Sequence, residues 1–122
     1  MTRILETAPD GIVCEGRLPA GGPYERDGRC PTFVLIEVAA QAAAALAALS
    51  PRSASDGAGR AEYLVRARDI HCARPEFDSG QVLRARVRRA GDATPLHLFE
   101  VEVRGDAAIL LRGEIGIYID EG

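Results

Sequence analysis

Glu37 and Gln41 stand four residues apart in the stretch 32–49, TFVLIEVAAQAAAALAAL, where every other position except Thr32 is apolar or small. A four-residue spacing puts two side chains on one face of a helix, within reach of each other. A helix apolar on nearly all sides is expected to be buried on nearly all sides. A carboxylate there needs a partner or a purpose, because an ionised, unpaired one costs roughly several kcal/mol or shifts its pKa. Two readings follow for Glu37. It is a proton-transferring or ligand-orienting group, or a carboxylate satisfied by Gln41 and a buried neighbour.

The other residue types able to do chemistry lie outside this stretch. His71 and His97 are the only histidines, both in the C-terminal part of the chain. His71 is the remaining candidate for a base, against the plainer reading of a half-exposed strand residue. His97, beside a turn, is expected to be solvated. Cys30 precedes the helix start, where a thiol pKa can fall, but no base accompanies it and it reads as packing. Cys14, Cys30 and Cys72 form no C-x-x-C pair and have no paired His, so neither a disulfide framework nor a zinc site is suggested.

The elements that must position these groups can be read from periodicity. Residues 4–18 give two short β segments or one hairpin around Pro9-Asp10-Gly11, a turn signal. Residues 19–30, PAGGPYERDGRC, read as a loop, and Thr32 is placed to cap the helix. Alanines 39, 40 and 42–45 make the helix slim enough for a sheet to wrap. Ser50-Pro51 ends it, and 51–60, PRSASDGAGR, is expected to be a polar surface loop. From Tyr63 the pattern is β to the end: 63–74, a PEFDSG connection, 81–89, an AGDATP turn, 96–104, a Gly105-Asp106 turn, and 108–119. Arg84, Arg86 and Arg88 alternate with apolar residues and face two choices. They attract an acidic partner, or they pair across strands with Glu100 and Glu102, the preferred reading.

One long helix followed by a four-stranded meander, with strands before it, is the hotdog architecture. This is an α+β fold, an antiparallel sheet wrapped around one long central α-helix, expected here as one domain over 1–122. A sheet of this size leaves its first or third strand edge open, so pairing with a second copy is expected, giving a dimer. A net charge of −3 across 122 residues argues against nucleic acid as the main partner. All 15 basic residues are Arg, which carries no functional reading. No apolar signal segment follows Met1-Thr2-Arg3, and Glu37 and Gln41 interrupt the one apolar stretch of spanning length. The expectation is therefore a soluble cytoplasmic protein without a membrane partner.

Residues 31–41, PTFVLIEVAAQ, resemble the helix motif of the hotdog 3-hydroxyacyl-(acyl carrier protein) dehydratases. Pro31, Glu37, Ala40 and Gln41 match that motif, with Thr32 in place of its Gly. Residues 67–89 resemble the family's second hallmark, a strand ending in Arg-Pro, a turn with Gly, and an alternating strand. Arg3-Ile4-Leu5-Glu6 resembles its first strand. Asp27, Gly28, Arg29 and Pro31 further match the Asp-Gly-Arg-x-Pro segment of the subgroup met in aryl-polyene and related polyketide clusters.

The resemblance implies β-elimination of water from a 3-hydroxyacyl thioester, with a base at C2 and an acid for the departing hydroxyl. It makes Glu37 the acid and Gln41 its orienting neighbour, with Pro31, Thr32 and Phe33 at the thioester and the amides of Thr32 and Phe33 as its oxyanion site. It implies no cofactor or metal, an acyl thioester on acyl carrier protein, and a dimer, either a homodimer or a heterodimer. Where the best-known members carry their catalytic His, this chain has Pro23. Two further readings follow: a non-catalytic partner of a His-bearing hotdog subunit, forming the heterodimer, or a thioesterase in which Glu37 activates water.

Overall fold

The computed structural model describes residues 3–18, 22–48, 61–93, 96–106 and 108–120. The 51–60 loop expected from the sequence lies outside them. Strands β1 (Arg3–Ala8) and β2 (Gly11–Gly16) form the expected hairpin around Pro9-Asp10. β3 (Arg29–Pro31) leads into a 3₁₀ turn (Thr32–Val34) and then helix α1 (Leu35–Ala48). β4 (Ala61–Cys72), β5 (Glu76–Asp78), β6 (Leu83–Ala93), β7 (Leu96–Arg104) and β8 (Ile109–Asp120) complete the chain.

The main sheet is six-stranded, all antiparallel, in the order β1-β2-β6-β7-β8-β4. It packs against α1, so the hotdog expectation holds. The expected four-stranded meander does not: β6, β7 and β8 meander, but β4 pairs with β8 at the far edge. The strand that follows the helix in the chain is thus an edge of the sheet, not a neighbour of the next long strand. Strand order is a tertiary choice that alternation along one strand does not encode. The open edges are β1 and β4, the first and third strands read from the sequence.

Two boundaries also differ. Glu76–Asp78, read as connection, is a strand paired with β3, with Phe77 buried opposite Cys30. Three residues are too few to show alternation. The AGDATP segment is not all turn: β6 runs on to Ala93 through a register shift between Arg89 and Gly91.

The core forms where the inward residues of the sheet meet one stripe of the helix. Leu83, Ala85 and Val87 of β6, Phe99, Val101 and Val103 of β7, and Leu111, Ile115 and Ile117 of β8 are buried. Against them lie Leu35, Val38, Ala39, Ala42, Ala43, Leu46 and Ala47, spaced alternately three and one apart as a helix stripe requires. Burial of α1 is therefore one-sided. Phe33, Glu37 and Gln41 are exposed, and Ile36, Ala40, Ala44 and Ala45 are only half-buried. The expectation of burial on nearly all sides is corrected, because one sheet covers one side of a helix. No helix among the described residues is long and apolar enough to cross a membrane.

Edge strand β4 is bent by a register shift between Arg68 and His71, where Asp69 adopts a left-handed conformation at φ 53°. The bend drives Ile70 over Gly113 of β8. A Cβ at residue 113 would lie 2.4 Å from Ile70 Cδ1, 3.0 Å from Ile70 Cα and 3.1 Å from the Asp69 carbonyl oxygen. The side-chain tip can move; the two backbone atoms cannot without opening the bend. Gly113→Ala is expected to destabilise the fold by about 1–3 kcal/mol. In urea this appears as a lower midpoint at an unchanged slope.

Candidate functional site

The site is built on the first turns of α1. Asp27 and Gly28 both have positive φ, 53° and 74°. Arg26 and Arg29 exchange both backbone hydrogen bonds across them, N–H to O distances being 2.8 and 3.0 Å. This is a two-residue type I′ hairpin turn, for which Asp-Gly is a preferred pair. It lies inside the segment read as loop. The Gly28 carbonyl accepts from Ser79 N–H at 2.8 Å, tying the hairpin to the end of β5. Arg29 lies 3.8 Å from Glu76 on the exposed side, and Cys30 is buried opposite Phe77 on the other. The Asp-Gly-Arg-x-Pro segment thus has a structural job: it turns the chain and delivers Pro31 to the helix start.

Thr32 does not cap. The residue before the first turn is Pro31, with φ −61° and ψ 133° and no side-chain cap. Thr32 sits one position late, 1% exposed, its hydroxyl without a hydrogen-bond partner. Its N–H donates to the Pro75 carbonyl at 2.9 Å. That amide is therefore committed, a correction to the expected oxyanion pair. The N–H groups of Phe33 and Val34, in the first turn, have by position no acceptor within the helix.

Phe33, Glu37 and Gln41 follow one another at four-residue steps along the uncovered stripe of the helix. Glu37 lies in the first turn of α1, where the helix dipole favours a negative charge. Phe33 is 58% exposed, and Tyr24, 51% exposed, meets it edge to face with ring centroids 6.2 Å apart. Tyr24 does not stand out in the sequence, since a lone aromatic in a Gly- and Pro-rich segment carries no periodic signal.

Neither histidine joins Glu37, for two different reasons. His71 lies near the end of the sheet where the helix starts, since the Pro75 carbonyl, four residues on, accepts from Thr32 N–H. However, it pairs with Arg112 and is exposed with it, on the face of the sheet away from the helix. There it lines a shallow depression with Asp69, Arg86, Glu102 and Glu114. His97 pairs with the inward-facing Ile117, so it is on the helix side and half-buried rather than solvated. Its row of the sheet is at the wrong end, about 20 Å along β7 from Val103, which pairs with Leu111. His71 has the right end and the wrong face; His97 has the right face and the wrong end.

The Arg stripe also falls on the outer face. Arg88 is opposite Glu100 and hydrogen-bonds to it, which pushes the guanidinium pKa up, so the cross-strand reading holds there. Arg84 instead meets Glu15 of β2 at 3.2 Å, because its neighbour on β7 is Arg104. Burial pushes the thiols of Cys14 and Cys30 above the ordinary range, with Glu25 adding to the effect on Cys30. Both should resist a thiol reagent near pH 8 until the chain unfolds, as timed absorbance with Ellman's reagent will show. A raised folded pKa also implies stability that is full below the unfolded thiol value, about 8.5, and falls as pH rises beyond it.

Several solved structures share this fold. The chain superposes on the dehydratase heterocomplex ApeI:P from Xenorhabdus doucetiae with a TM-score of 0.82 and 22% identity, covering 95% of this chain and 79% of that one. A mutant of thioesterase PA1618 from Pseudomonas aeruginosa gives 0.68 at 11% identity, covering 97% and 80%. A mutant of the phenylacetic acid degradation protein PaaI from Thermus thermophilus gives 0.66 at 19% identity, covering 97% and 91%. No curated protein sequence matches the chain significantly. The ApeP-like family model, described as ApeP dehydratase, matches residues 1–121, so the hairpin, helix motif and edge strand described above are those of a chain that belongs to the ApeP-like dehydratase family.

Proposed function

We propose that this chain is one subunit of a heteromeric dehydratase acting on 3-hydroxyacyl thioesters of acyl carrier protein, in which Glu37 works opposite a base from a partner hotdog chain. The observation that carries this is the open helix stripe of Phe33, Glu37 and Gln41 with neither histidine beside it. A structural relative known as a dehydratase heterocomplex supports a second, different chain as what covers that stripe.

In the reaction, the partner's base takes the C2 proton and that electron pair forms the C2–C3 double bond. The C3–O bond breaks, and the hydroxyl leaves as water with a proton from Glu37. Gln41, one turn on, orients the Glu37 carboxyl. Pro31, Thr32 and Phe33 shape the thioester end of the cleft. The N–H groups of Phe33 and Val34 polarise its carbonyl at the positive end of the helix. His71 has no part in this reading, since it faces away from the helix.

The test is reconstitution, following enoyl thioester absorbance on a 3-hydroxyacyl substrate. The pair should eliminate water and this chain alone should not. Elimination by this chain alone would show that it supplies its own base. Glu37-dependent release of free thiol would select the thioesterase reading, which the shared fold of PA1618 keeps in view.

A further inference from the structure

We infer that Gln81 is a positioning residue: from outside the helix its side chain fixes where the helix begins, and so where Phe33 and Glu37 stand. Its effect on catalysis rests on the proposed dehydratase reading, whereas its effect on the helix start does not. Residues 29–31 pair with β5 in a two-stranded sheet of their own, apart from the six-stranded one. Just beyond them, Thr32 N–H donates to the Pro75 carbonyl at 2.9 Å. Just before them, the Gly28 carbonyl accepts from Ser79 N–H at 2.8 Å. These bonds all run to residues 75–79, so the helix start is placed only as well as that segment is.

The segment is tied back to the β7–β8 end of the main sheet on both flanks. On one flank Ala73 N–H donates to the Leu110 carbonyl at 3.0 Å, a backbone bond that a change of side chain leaves in place. On the other flank the bridge is the Gln81 side chain. Its Nε2 donates to the Asp78 carbonyl at 2.8 Å, and its Oε1 accepts from Asp106 N–H at 3.0 Å, in the turn between β7 and β8. A carboxamide supplies the donor and the acceptor that such a bridge needs. Gly105 makes room for it. A Cβ at residue 105 would lie 2.1 Å from Gln81 Oε1 and 3.0 Å from Gln81 Cδ. The bridge can therefore be cut from either side. Gln81→Ala removes it, and Gly105→Ala expels it, because swinging the long side chain aside is the easiest way to admit the methyl. With Gln81 truncated the space is vacant, so the double variant should behave as Gln81→Ala alone.

Two buried thiols report the outcome in the isolated chain. Cys30 is packed opposite Phe77 in the β3–β5 pair, and Cys14 lies in β2 of the main sheet. Pulse labelling with iodoacetamide, read by peptide mass, follows each. In both single variants Cys30 should label about 10-fold faster, the extra opening that two lost hydrogen bonds release, with the Cys14 rate unchanged. In the reconstituted pair the same variants should lower kcat for water loss by about 10-fold or more at a nearly constant KM, as misplaced groups at a reacting centre do. Cys30 and Cys14 accelerating together would make Gln81 a support of the whole fold and overturn the inference. An unchanged Cys30 rate, an unchanged kcat, or a further loss from Gly105→Ala on top of Gln81→Ala would overturn it too. A wild-type pair that eliminates no water would remove the dehydratase reading instead, and the Cys30 rates would then decide whether Gln81 holds the helix start.

Discussion

Glu37→Gln is expected to cut dehydration by the reconstituted pair by about 10²–10⁴-fold, the range for losing a positioned general acid. That is about 3–5 kcal/mol of transition-state stabilisation. The same change should leave the fold nearly untouched. Glu37 is exposed, and its contribution to stability is the favourable placement of a negative charge in the first helical turn, about 0.3–1 kcal/mol. Glutamine is nearly as good a helix former, and keeps the shape. The two quantities differ enough to be separated in one preparation, by kcat on the pair and a urea midpoint on the isolated chain. A kcat that follows the midpoint would make Glu37 structural and sink its assignment as the acid.

Glu37 and Gln41 stand out in the sequence because an otherwise apolar helix makes polar residues at a four-residue step conspicuous. The reason they are tolerated differs from the one expected. Instead of a carboxylate buried within one chain, the stripe is open and the apolar residues around it, Ile36, Ala40 and Ala44, are half-covered. A helix prepared for covers on both sides has the same composition whether the second cover comes from its own chain or another. The histidines could not be placed for a related reason. Face and row are set by strand pairing, and β4 joins the sheet beside β8 through a bend at Asp69 that no alternation announces.

Much of the fold was legible where a strand was long and half-buried. Alternation between two turn signals bounds β7, Leu96–Arg104, and the Pro-Asp-Gly turn marks the β1-β2 hairpin. Short elements escaped. The Asp27-Gly28 turn is a strong hairpin signal, but it is normally read between two alternating strands, and here its flanks are a loop and three residues of β3. Pro75 shows the same limit. It ends the preceding strand as expected, yet its carbonyl also holds the helix start through Thr32 N–H, a long-range bond that residue type does not advertise.

Phe99→Ala should be the counterpart of Glu37→Gln, a large loss of stability that acts on the fold rather than on the site. Phe99 is fully buried in β7, between Arg89 of β6 and Ile115 of β8 in register, and shares one core with the helix stripe. Truncating a buried Phe to Ala costs about 3–5 kcal/mol, the lost transfer term plus the cavity. Against a total of about 5–15 kcal/mol this is about a fifth or more of what holds the chain together. The melting temperature should fall by roughly 10–20 °C. The Arg89 guanidinium lies 5.8 Å from the ring centroid, and that contact contributes only about 0.5–1 kcal/mol. Arg89→Ala is thus the control: a loss as large as that of Phe99→Ala would mean that the ring matters for its cation and not for its volume. Below its lowered melting point the Phe99→Ala chain keeps the Glu37 stripe, on the opposite side of α1 from the sheet, and should still support water loss when paired.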